Sequence, residues 1–420
     1  MKKYMSYFLI GLRMLVAAVF IFSGFVKGID LLGTAYKFSD YFTAMHLPRM
    51  EQLTLMLSFL LSGAEFLIGV ALLTGIWPRF TTWIALAFMI FFTIVTLLLA
   101  VFNPISDCGC FGDAIKLTNW ETFFKNVVLL SIVIVLFVFR KTQNSPLTTG
   151  YAWSVLLITV GVYTFVSLYS YRHLPIIDFM PFSEGSNIIE KSTIPPGAPT
   201  DEYATQLLYK NKNTGEIKAF DMTNYPWQDT VNWQWVETKS VLVKKGYVPP
   251  IHDFALYTPH GENITDSILR SDAFVFLMVS YNIEKANSQA LQRFDTLAQY
   301  ALASPNIRFY AVTASSMGAV QRVSEKLHLS YSFLTADETL QKTMIRSNPG
   351  ILLLYKGTVL KKWHYSQFAW NYSDFDVLKQ VATQQRIIKE KFATISFLLL
   401  LAFLLSVNAA IFRKVAKNNR

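Results

Sequence analysis

The sequence predicts an α-helical multi-pass membrane bundle joined to a water-exposed α/β domain, and three observations lead to this fold class. Hydrophobic residues make up 52% of the 420 residues and charged residues only 16%, whereas soluble domains contain about 25% charged residues. Several apolar runs reach the length of about 20 residues that a helix needs to cross a bilayer. After residue 247, strand-like and helix-like segments alternate, as they do in α/β domains.

Six apolar runs are predicted to cross the membrane, each as a helix because lipid cannot satisfy the polar groups of an open backbone. These runs are Tyr7–Val26, Leu53–Trp77, Phe80–Phe102, Phe123–Phe139, Tyr151–Tyr171 and Phe392–Phe412. The first run follows two lysines, but it is longer than the apolar region of a signal peptide and no cleavage site of small residues follows it. We therefore expect it to remain as a span.

Basic residues predict the orientation of these spans, since Lys and Arg are retained on the cytoplasmic side of short loops. The ends expected inside carry more of them, including Arg79, Arg140 and Lys141, than the loops expected outside, and nearly all of the net charge of +10 lies in the spans and their flanks. We expect an inner-membrane protein with both termini in the cytoplasm. Its expected partner is the lipid bilayer, and we expect it to bind no nucleic acid. The loop with the cysteines and the segment 172–390 then lie outside, where disulfides form.

Changes in composition divide the chain into five predicted parts. These are a four-helix membrane domain at 1–141, a fifth span at 142–171, a small β-rich extracytoplasmic region at 172–247, an α/β domain at 248–380 and a C-terminal span at 391–413. The region 172–247 is rich in Pro, Asn and aromatic residues, with short alternating stretches typical of strands joined by turns. The sequence assigns this region no function.

The α/β domain is predicted from its order of elements, β-α-β-α-β-α-β-β. The strand "AFVFLMVS" precedes the helix "NSQALQRFDTLAQYA", the strand "IRFYAVT" precedes the helix "MGAVQRVSEKL", and the strand "LSYSFL" precedes the helix "DETLQKTM". After "RSNPG", the segments "ILLLYKG" and "TVLKKWH" are predicted as two strands joined by a Lys-Gly turn. We expect two layers, with helices packed on a sheet.

This order, with "SNPG" opening the last hairpin, resembles the thioredoxin-like fold, in particular its membrane-anchored thiol-reductase and peroxiredoxin-like branches. The resemblance implies a cis peptide bond between Asn348 and Pro349, for which the alternative is an ordinary turn. A peptide could add there as a strand through main-chain groups, so both residues are candidates for peptide binding. Where this family carries its Cys-x-x-Cys motif, the chain has "SYNIEKAN", and the domain therefore cannot perform dithiol exchange by itself.

The membrane domain resembles the DoxX family and its relative MauE, a methylamine utilisation protein. The resemblance rests on "LRMLVAAVFIFSGFVKGID" in the first span, "GAEFLIGVALLTGIWPR" in the second and "DCGCFGD" after the third. Both families are associated with membrane redox chemistry, and MauE-like proteins with making or isomerising disulfides in a periplasmic partner. The resemblance implies that Cys108 and Cys110 are a catalytic redox pair.

Cys108 and Cys110 are the two cysteines of the chain, and a disulfide between them would close a small ring. Cysteines that flank one residue lie near the upper end of the Cα separation that a disulfide tolerates, so we expect a strained bond that readily oxidises a substrate thiol. Two alternatives stay open. The disulfide could be a structural staple of the loop, or the cysteines could bind a metal with His46 as a nearby nitrogen ligand; we expect no metal.

Two ionisable residues fall inside the spans, where a charge at mid-bilayer costs at least about 2.5 kcal/mol and usually faces the bundle interior. Glu65 lies near the middle of the second span and Arg13 lies within the first; for Arg13 the alternative is a side chain that extends to the interface. Lys27, at the end of the first span, is expected to be an interfacial anchor. We predict that Glu65 and Arg13 interact and shape a small-molecule pocket, for which a quinone is a candidate cofactor.

Together these features predict thiol-disulfide exchange outside the cytoplasm through the Cys-Gly-Cys loop, acting on a protein partner or thiol substrate that the thioredoxin-like domain presents or binds. The main alternative is a non-catalytic membrane scaffold or assembly factor, whose domain binds an envelope partner. A third hypothesis is a transporter for a small hydrophobic molecule. The lack of a predicted broken helix with a charged site near mid-membrane argues against transport.

Overall fold

The computed structural model describes residues 2–105, 107–244 and 246–368. These residues form two compact units. The smaller unit is Asn187–Phe254, and the larger unit contains the described residues on either side of it in the sequence. The predicted sixth span, Phe392–Phe412, lies outside the described residues.

Six helices build the first part of the larger unit. They are α1 (Lys2–Ile29), α2 (Leu31–Ala44), α3 (Thr54–Thr74), α4 (Pro78–Phe102), α5 (Asn119–Val138) and α6 (Thr149–Arg172). Five of them, all but α2, are long and apolar enough to cross a membrane, and they coincide with the first five predicted spans. The chain is therefore a membrane protein. The α2 helix lies in a loop for which the sequence predicted no element.

Local sequence explains where several of these helices begin and end. Thr118 caps α5 by accepting a hydrogen bond from the Glu121 backbone N–H, and the Glu121 carboxylate accepts one from the Thr118 N–H in return, which satisfies two otherwise unpaired donors. Asp30 caps α2 by accepting from the Gly33 N–H at 2.8 Å. The α3 helix ends at Gly75, whose φ of +70° suits glycine at a helix C-terminus.

The membrane helices pack as two pairs, α1 with α3 and α4 with α5, and α6 lies against α3. Glycine makes the α1–α3 contact close. A Cβ at Gly24 would lie 2.6 Å from the Phe66 backbone nitrogen and 2.7 Å from the Ser62 carbonyl oxygen, so a larger residue would push the two helices apart. Tyr163 joins α6 to the first pair, because its hydroxyl lies 2.6 Å from the Ser62 hydroxyl.

The smaller unit contains a short helix and a three-stranded antiparallel sheet. Its elements are α7 (Ile188–Ser192), β1 (Glu202–Asn211), β2 (Ile217–Asp221) and β3 (Trp233–Lys244), with β1 in the centre of the order β2-β1-β3. The Phe220 ring contacts the rings of Tyr209 and Trp233, whereas Trp227 and Trp235 are exposed. Strands are therefore present in the region from which a few strands were predicted.

The second part of the larger unit is an α/β domain in which one short helix, which was not predicted, precedes the predicted order of elements. It contains α8 (Thr265–Leu269), β4 (Phe274–Ser280), α9 (Ser288–Ala303), β5 (Ile307–Thr313), α10 (Met317–Leu327), β6 (Phe333–Thr335), α11 (Glu338–Met344), β7 (Gly350–Tyr355) and β8 (Thr358–His364). The strands lie in the order β6-β5-β4-β7-β8. Strands β4, β5 and β6 are parallel, while β7 is antiparallel to β4 and β8 to β7.

The core of this domain lies around its central strands. Phe276 on β4, Phe294 on α9 and Phe333 on β6 are each at most 1% exposed and belong to one apolar cluster. Strand β4 is buried along nearly its whole length, which explains why its sequence is a continuous apolar run instead of an alternating one. The Asn348–Pro349 bond before β7 is cis, as the thioredoxin resemblance predicted.

A buried arginine joins the α/β domain to the membrane bundle. Arg346, between α11 and β7, is 5% exposed. Its Nε lies 3.0 Å from both carboxylate oxygens of Asp30, the residue between α1 and α2. Its guanidinium also lies 2.9 Å from the carboxylate of Asp113, in the segment between α4 and α5. One cation therefore holds two carboxylates from separate stretches of the bundle, and such charge-assisted bonds fix orientation as well as adding energy.

We expect the substitution Arg346→Ala to destabilise the protein strongly. It leaves the Asp30 and Asp113 carboxylates partly buried without their cation, and removing one partner from a buried ion pair costs about 3–5 kcal/mol. The melting temperature of the purified full-length protein in detergent should fall by several degrees.

The matched control is Arg322→Ala. Arg322 forms an ion pair of the same 2.9 Å length with Glu284, but both of its side chains are more than half exposed. Exposed pairs contribute little to stability, so this variant should melt like the wild type. Equal effects of the two substitutions would contradict the anchoring role of Arg346.

Candidate functional site

The two cysteines lie on the segment 103–118 between α4 and α5, which we call the cysteine loop. Asn119, at the start of α5, donates hydrogen bonds from Nδ2 to the Asn103 side chain and the Ile105 carbonyl, each at 2.8 Å, so the two ends of the loop are held together. Gly109, between the cysteines, has a φ of +62°. A Cβ there would be strained and would lie 3.1 Å from the Lys37 side chain. The turn that brings the sulfurs together therefore needs glycine.

Cys108 and Cys110 are free thiols that face each other. Their Sγ atoms lie 2.7 Å apart, compared with about 2.0 Å in a disulfide, so a small movement brings them to bonding distance. Cys108 is 8% exposed, and Cys110 is more exposed. The Cys108 sulfur also lies 3.3 Å from the hydroxyl of Thr122, in the first turn of α5. The loop therefore positions a dithiol that can close to a disulfide.

The environment gives the two thiols different acidities. The hydrogen bond from the Cys110 thiol lowers the pKa of Cys108 to about 6, and Thr122 and Lys125 act in the same direction against the effect of burial. The same hydrogen bond, together with burial, raises the pKa of Cys110 well above its ordinary range. Since a free cysteine has a pKa of about 8.5, Cys108 is the thiolate of the pair near neutral pH.

The α2 helix holds the cysteine loop at two points. Lys37 forms an ion pair with Asp107 at 3.0 Å, and Asp107 also accepts a hydrogen bond from the Gly109 N–H at 3.1 Å. The Tyr41 hydroxyl donates to the Cys108 carbonyl at 2.7 Å. The helix that the sequence did not predict is therefore a direct support of the cysteine pair.

Glu65 forms a buried ion pair with Lys27, and the expected pairing of Glu65 with Arg13 is wrong. The Lys27 ammonium lies 2.6 Å from the Glu65 carboxylate, with both side chains 9% exposed. Lys27 is therefore not the interfacial anchor that its place at the end of a span predicted. The Ser23 hydroxyl lies 2.8 Å from both the Glu65 carboxylate and the Cys110 carbonyl oxygen. Ser23 therefore links the Lys27–Glu65 ion pair inside the bundle to the cysteine loop by hydrogen bonds.

Arg13 lies at the opposite end of α3 from the cysteine loop. It is 4% exposed, and a Cβ on Gly75 would lie 2.7 Å from its guanidinium. Gly75 follows Glu65 by ten residues, which is about 15 Å along a helix. Arg13 thus lies beside the C-terminal end of α3, where the helix dipole favours a cation, and it is buried instead of extending to the interface.

The α/β domain contacts α2 through the loop that follows β4. The Tyr281 ring, directly after β4, meets the Tyr36 ring of α2 edge-on with centroids 6.0 Å apart. Asn348 uses its side chain inside the domain, donating to the Asn282 carbonyl and accepting from the Ser280 hydroxyl, both at 2.8 Å. Pro349 is buried. The candidate peptide-binding residues are therefore engaged within the chain.

The structure adds residues to the site that the sequence did not assign to it, and they are Ser23, Lys27, Lys37, Tyr41 and Thr122. We find no sequence signal for any of them. Antiparallel packing of the first two predicted spans would place Lys27, at the end of the first, beside the start of the second and not beside Glu65. Among the described residues, no group of three or more His, Cys, Asp or Glu side chains could hold a metal ion.

Comparisons with known proteins find similarity to separate parts of the chain. Residues 5–139 match the family model of Methylamine utilisation protein MauE, and residues 203–245 match a Domain of unknown function (DUF8463). No curated protein matches the chain. A solution structure from Bacteroides thetaiotaomicron, assigned as a protein disulfide isomerase, is similar with 12% identity and a TM-score of 0.23, covering 32% of this chain and 84% of that one. The chain thus contains a MauE-like region, which makes up less than half of its length.

The pKa of Cys108 predicts how the reduced protein reacts with a small alkylating reagent such as iodoacetamide. Only the thiolate reacts, so the rate should rise as the pH increases through about 6 and reach a plateau above about pH 7. Mass spectrometry of the labelled peptide at each pH measures this midpoint.

The variant Thr122→Val tests the cause of that midpoint, because it removes the hydroxyl that stabilises the Cys108 thiolate. Its midpoint should move to higher pH. Thr93→Val is the matched control, since the Thr93 hydroxyl bonds to the Met89 carbonyl within α4 and does not contact the cysteines. A wild-type midpoint near the ordinary cysteine value would show that Cys108 is not activated.

Proposed function

We propose that this chain performs thiol-disulfide exchange at the outer face of the inner membrane, forming or isomerising disulfides in an extracytoplasmic partner. The observation that carries the proposal is the cysteine pair, with sulfurs 2.7 Å apart and the pKa of Cys108 lowered to about 6. A lowered pKa is typical of reactive cysteines, whereas structural buried cysteines are inert. The MauE match over residues 5–139 agrees with the resemblance from which the redox role was predicted.

The different acidities assign a role to each sulfur. In the oxidised pair, a substrate thiolate attacks Cys110 and Cys108 leaves as a thiolate, because the thiol of lower pKa is the better leaving group. A second substrate thiolate then attacks the substrate sulfur of the mixed disulfide and releases Cys110, which takes up a proton. The substrate gains one disulfide, and its two electrons are left on the cysteine pair.

The orientation of the membrane bundle is part of the proposal. The distribution of basic residues favours an outer position for the cysteine loop, in a compartment where disulfides form. The fifth span, 142–171, would bring the α/β domain at 248–380 to the same side. The ion pairs of Arg346 with Asp30 and Asp113 support this arrangement, since they require the domain and the cysteine loop to share one side of the membrane.

We assign the α/β domain to binding or presenting the partner, because it contains no cysteine of its own. A non-catalytic scaffold is the second candidate function. The contact between Tyr281 and Tyr36 and the internal hydrogen bonds of Asn348 favour it, since they keep the thioredoxin-like site occupied. In that case the cysteine pair would only staple its loop.

Single-cysteine variants separate these two functions. In cells treated with a small disulfide reagent, Cys110 of the Cys108→Ser variant becomes coupled to a small thiol. A partner thiolate that attacks Cys110 displaces that thiol, and the mixed disulfide should accumulate because no second cysteine can resolve it. Non-reducing electrophoresis and mass spectrometry would detect it and identify the bound protein. The Cys110→Ser variant should accumulate much less mixed disulfide, because it lacks the sulfur that the partner attacks.

The double variant, with both cysteines replaced by serine, is the control for that experiment and should trap nothing. Trapping by Cys110→Ser alone would keep the exchange reaction but reverse the roles of the sulfurs. The absence of any mixed disulfide from both single variants would contradict the proposed function and favour the scaffold.

A labelling experiment tests the orientation. In intact spheroplasts of the Cys110→Ser variant, a maleimide that cannot cross membranes should label Cys108, the thiol of lower pKa. The control carries Asn144→Cys in the cysteine-free background, because Asn144 is exposed in the loop between α5 and α6, at the opposite end of α5 from the cysteine loop. That control should be labelled only after lysis, and the reverse pattern would place the cysteine loop in the cytoplasm.

A further inference from the structure

A small cavity between the helix pairs α1/α3 and α4/α5 reaches Cys110. Water molecules have about 40 Å³ of space in it, and a buried water needs at least about 10–15 Å³. Phe88 and Phe92 of α4 form apolar walls. Five other lining residues carry polar groups, and they are Ser23, Glu65, Cys110, Lys125 and Asn126. Since a buried water makes roughly two to four hydrogen bonds, the size and the lining of this cavity suit water.

Ser23 lies between Glu65 and the cysteine loop, and its hydroxyl fits both protonation states of the carboxyl group. A hydroxyl carries a single proton, yet the Ser23 oxygen lies 2.8 Å from the Glu65 carboxylate and 2.8 Å from the Cys110 carbonyl oxygen. When Glu65 is ionised, Ser23 can donate to only one of these two acceptors. When Glu65 is protonated, it can donate to Ser23 while Ser23 donates to Cys110. A proton on Glu65 therefore completes the hydrogen bonds between this carboxyl group and the cysteine loop.

Lys27 balances the charge of this group of residues. Its ammonium lies 2.6 Å from the Glu65 carboxylate, and both side chains are 9% exposed. Moving a proton from the Cys110 thiol to Glu65 replaces a carboxylate by a thiolate, so the net charge of the group does not change. The charges of Lys27 on α1 and Lys125 on α5 both act to lower the pKa of Cys110. The proton can therefore move within the group without leaving a buried charge unpaired.

Cys110 needs a proton acceptor, because its own proton is hard to remove. The hydrogen bond with Cys108 and burial raise the pKa of Cys110 well above its ordinary range, and only a thiolate attacks a disulfide. Of the described residues that line the cavity, Glu65 alone has a carboxylate. The other ionisable groups that face Cys110 or Glu65 include Lys27, Tyr41, Cys108, Lys125 and Tyr163. Lysine and tyrosine side chains carry their own protons near neutral pH, and Cys108 is the attacking sulfur, which leaves Glu65 as the acceptor.

We propose that Glu65 exchanges a proton with Cys110 through water in this cavity, an inference that rests on the proposed thiol-disulfide exchange. A carboxylate that takes a proton from a reacting group through one water molecule acts as a general base. Glu65 takes the proton when Cys110 attacks, and returns it when Cys110 is released from a substrate.

In the resolving step, Cys110 attacks the mixed disulfide that Cys108 forms with another thiol. The Cys110 S–H bond breaks, and its proton passes through a water molecule to a Glu65 oxygen. The electron pair left on Cys110 forms the S–S bond to Cys108, and the other thiol leaves as a thiolate. Glu65 then loses the proton to water, which restores its ion pair with Lys27. The reverse sequence supplies the proton that Cys110 takes up when a substrate releases it.

The test measures this step in the purified full-length protein in detergent, with the aromatic disulfide dithiobis(nitrobenzoate) as the probe. The Cys108 thiolate attacks the probe and releases one coloured thiolate, and Cys110 then resolves the mixed disulfide and releases a second. Stopped-flow absorbance separates the two phases, because only the first depends on the concentration of the probe. Since Glu65 takes the proton internally, the rate of the wild-type second phase should change little with pH near neutrality.

The substitution Glu65→Gln gives opposite results for a proton acceptor and for a neighbouring charge. Without the acceptor, Cys110 must lose its proton to bulk water, so the second phase should slow by about tenfold or more at neutral pH and should become faster as the pH rises. If Glu65 acted only through its charge, the same substitution would make the second phase faster, because loss of a negative charge favours the Cys110 thiolate.

Two further variants complete the experiment. The Lys27→Met, Glu65→Gln double variant removes both buried charges, so it carries the test if an unpaired Lys27 prevents Glu65→Gln from folding. Its second phase should also be slow and should become faster as the pH rises. The matched control is Arg13→Gln, which removes another buried charge, 4% exposed, at the opposite end of α3 from the cysteine loop. Its two phases should match those of the wild type.

The outcomes distinguish failure of this inference from failure of the proposed function. A second phase of Glu65→Gln as fast as that of the wild type, or faster, would overturn the role of Glu65 and leave the exchange reaction standing, because both thiolates are still released. Equal pH profiles of the wild type and the double variant would have the same meaning. Release of a single thiolate per cysteine pair by the wild type would contradict the proposed function itself.

Discussion

The arrangement of the candidate site depends on one buried guanidinium, that of Arg346. It lies between Asp30, which caps α2, and Asp113, which belongs to the cysteine loop. The same cation therefore fixes the helix that contacts the loop, the loop itself and the α/β domain from which it comes. Two carboxylates do not remain ionised side by side in a poorly hydrated place without a cation. These three parts of the chain are thus held together, because burying any of these charges without its counter-ion would be unfavourable.

Elements formed by local patterns could be predicted from the sequence, and elements that depend on distant contacts could not. Strand β5 and helix α10 have the predicted bounds because apolar runs and amphipathic spacing are local properties. The α2 helix is different. Its Lys37 and Tyr41 side chains bond to Asp107 and to the Cys108 carbonyl, more than sixty residues away, and no pattern within α2 indicates these partners.

The candidate site, too, could be predicted from the sequence only in part. Cys108 and Cys110 could be singled out because they are the cysteines of the chain and follow a predicted span. Their acidity could not, since it depends on the 2.7 Å contact between the sulfurs and on Thr122, which only the folded loop brings together. Glu65 was correctly predicted to be a buried charge, but the prediction that Arg13 is its partner was wrong. The observed packing of α1 on α3 places Lys27 beside Glu65 and leaves Arg13 at the far end.

Lys27 and Glu65 belong to consecutive spans, and each would be a costly charge in lipid on its own. At 2.6 Å from each other they enter the bilayer as a neutral unit. A growing chain that released α1 into lipid before α3 emerged would leave the ammonium without its counter-ion. Biosynthesis of this bundle is therefore easiest when α1, α2 and α3 leave the translocation channel as one hairpin, already folded against each other.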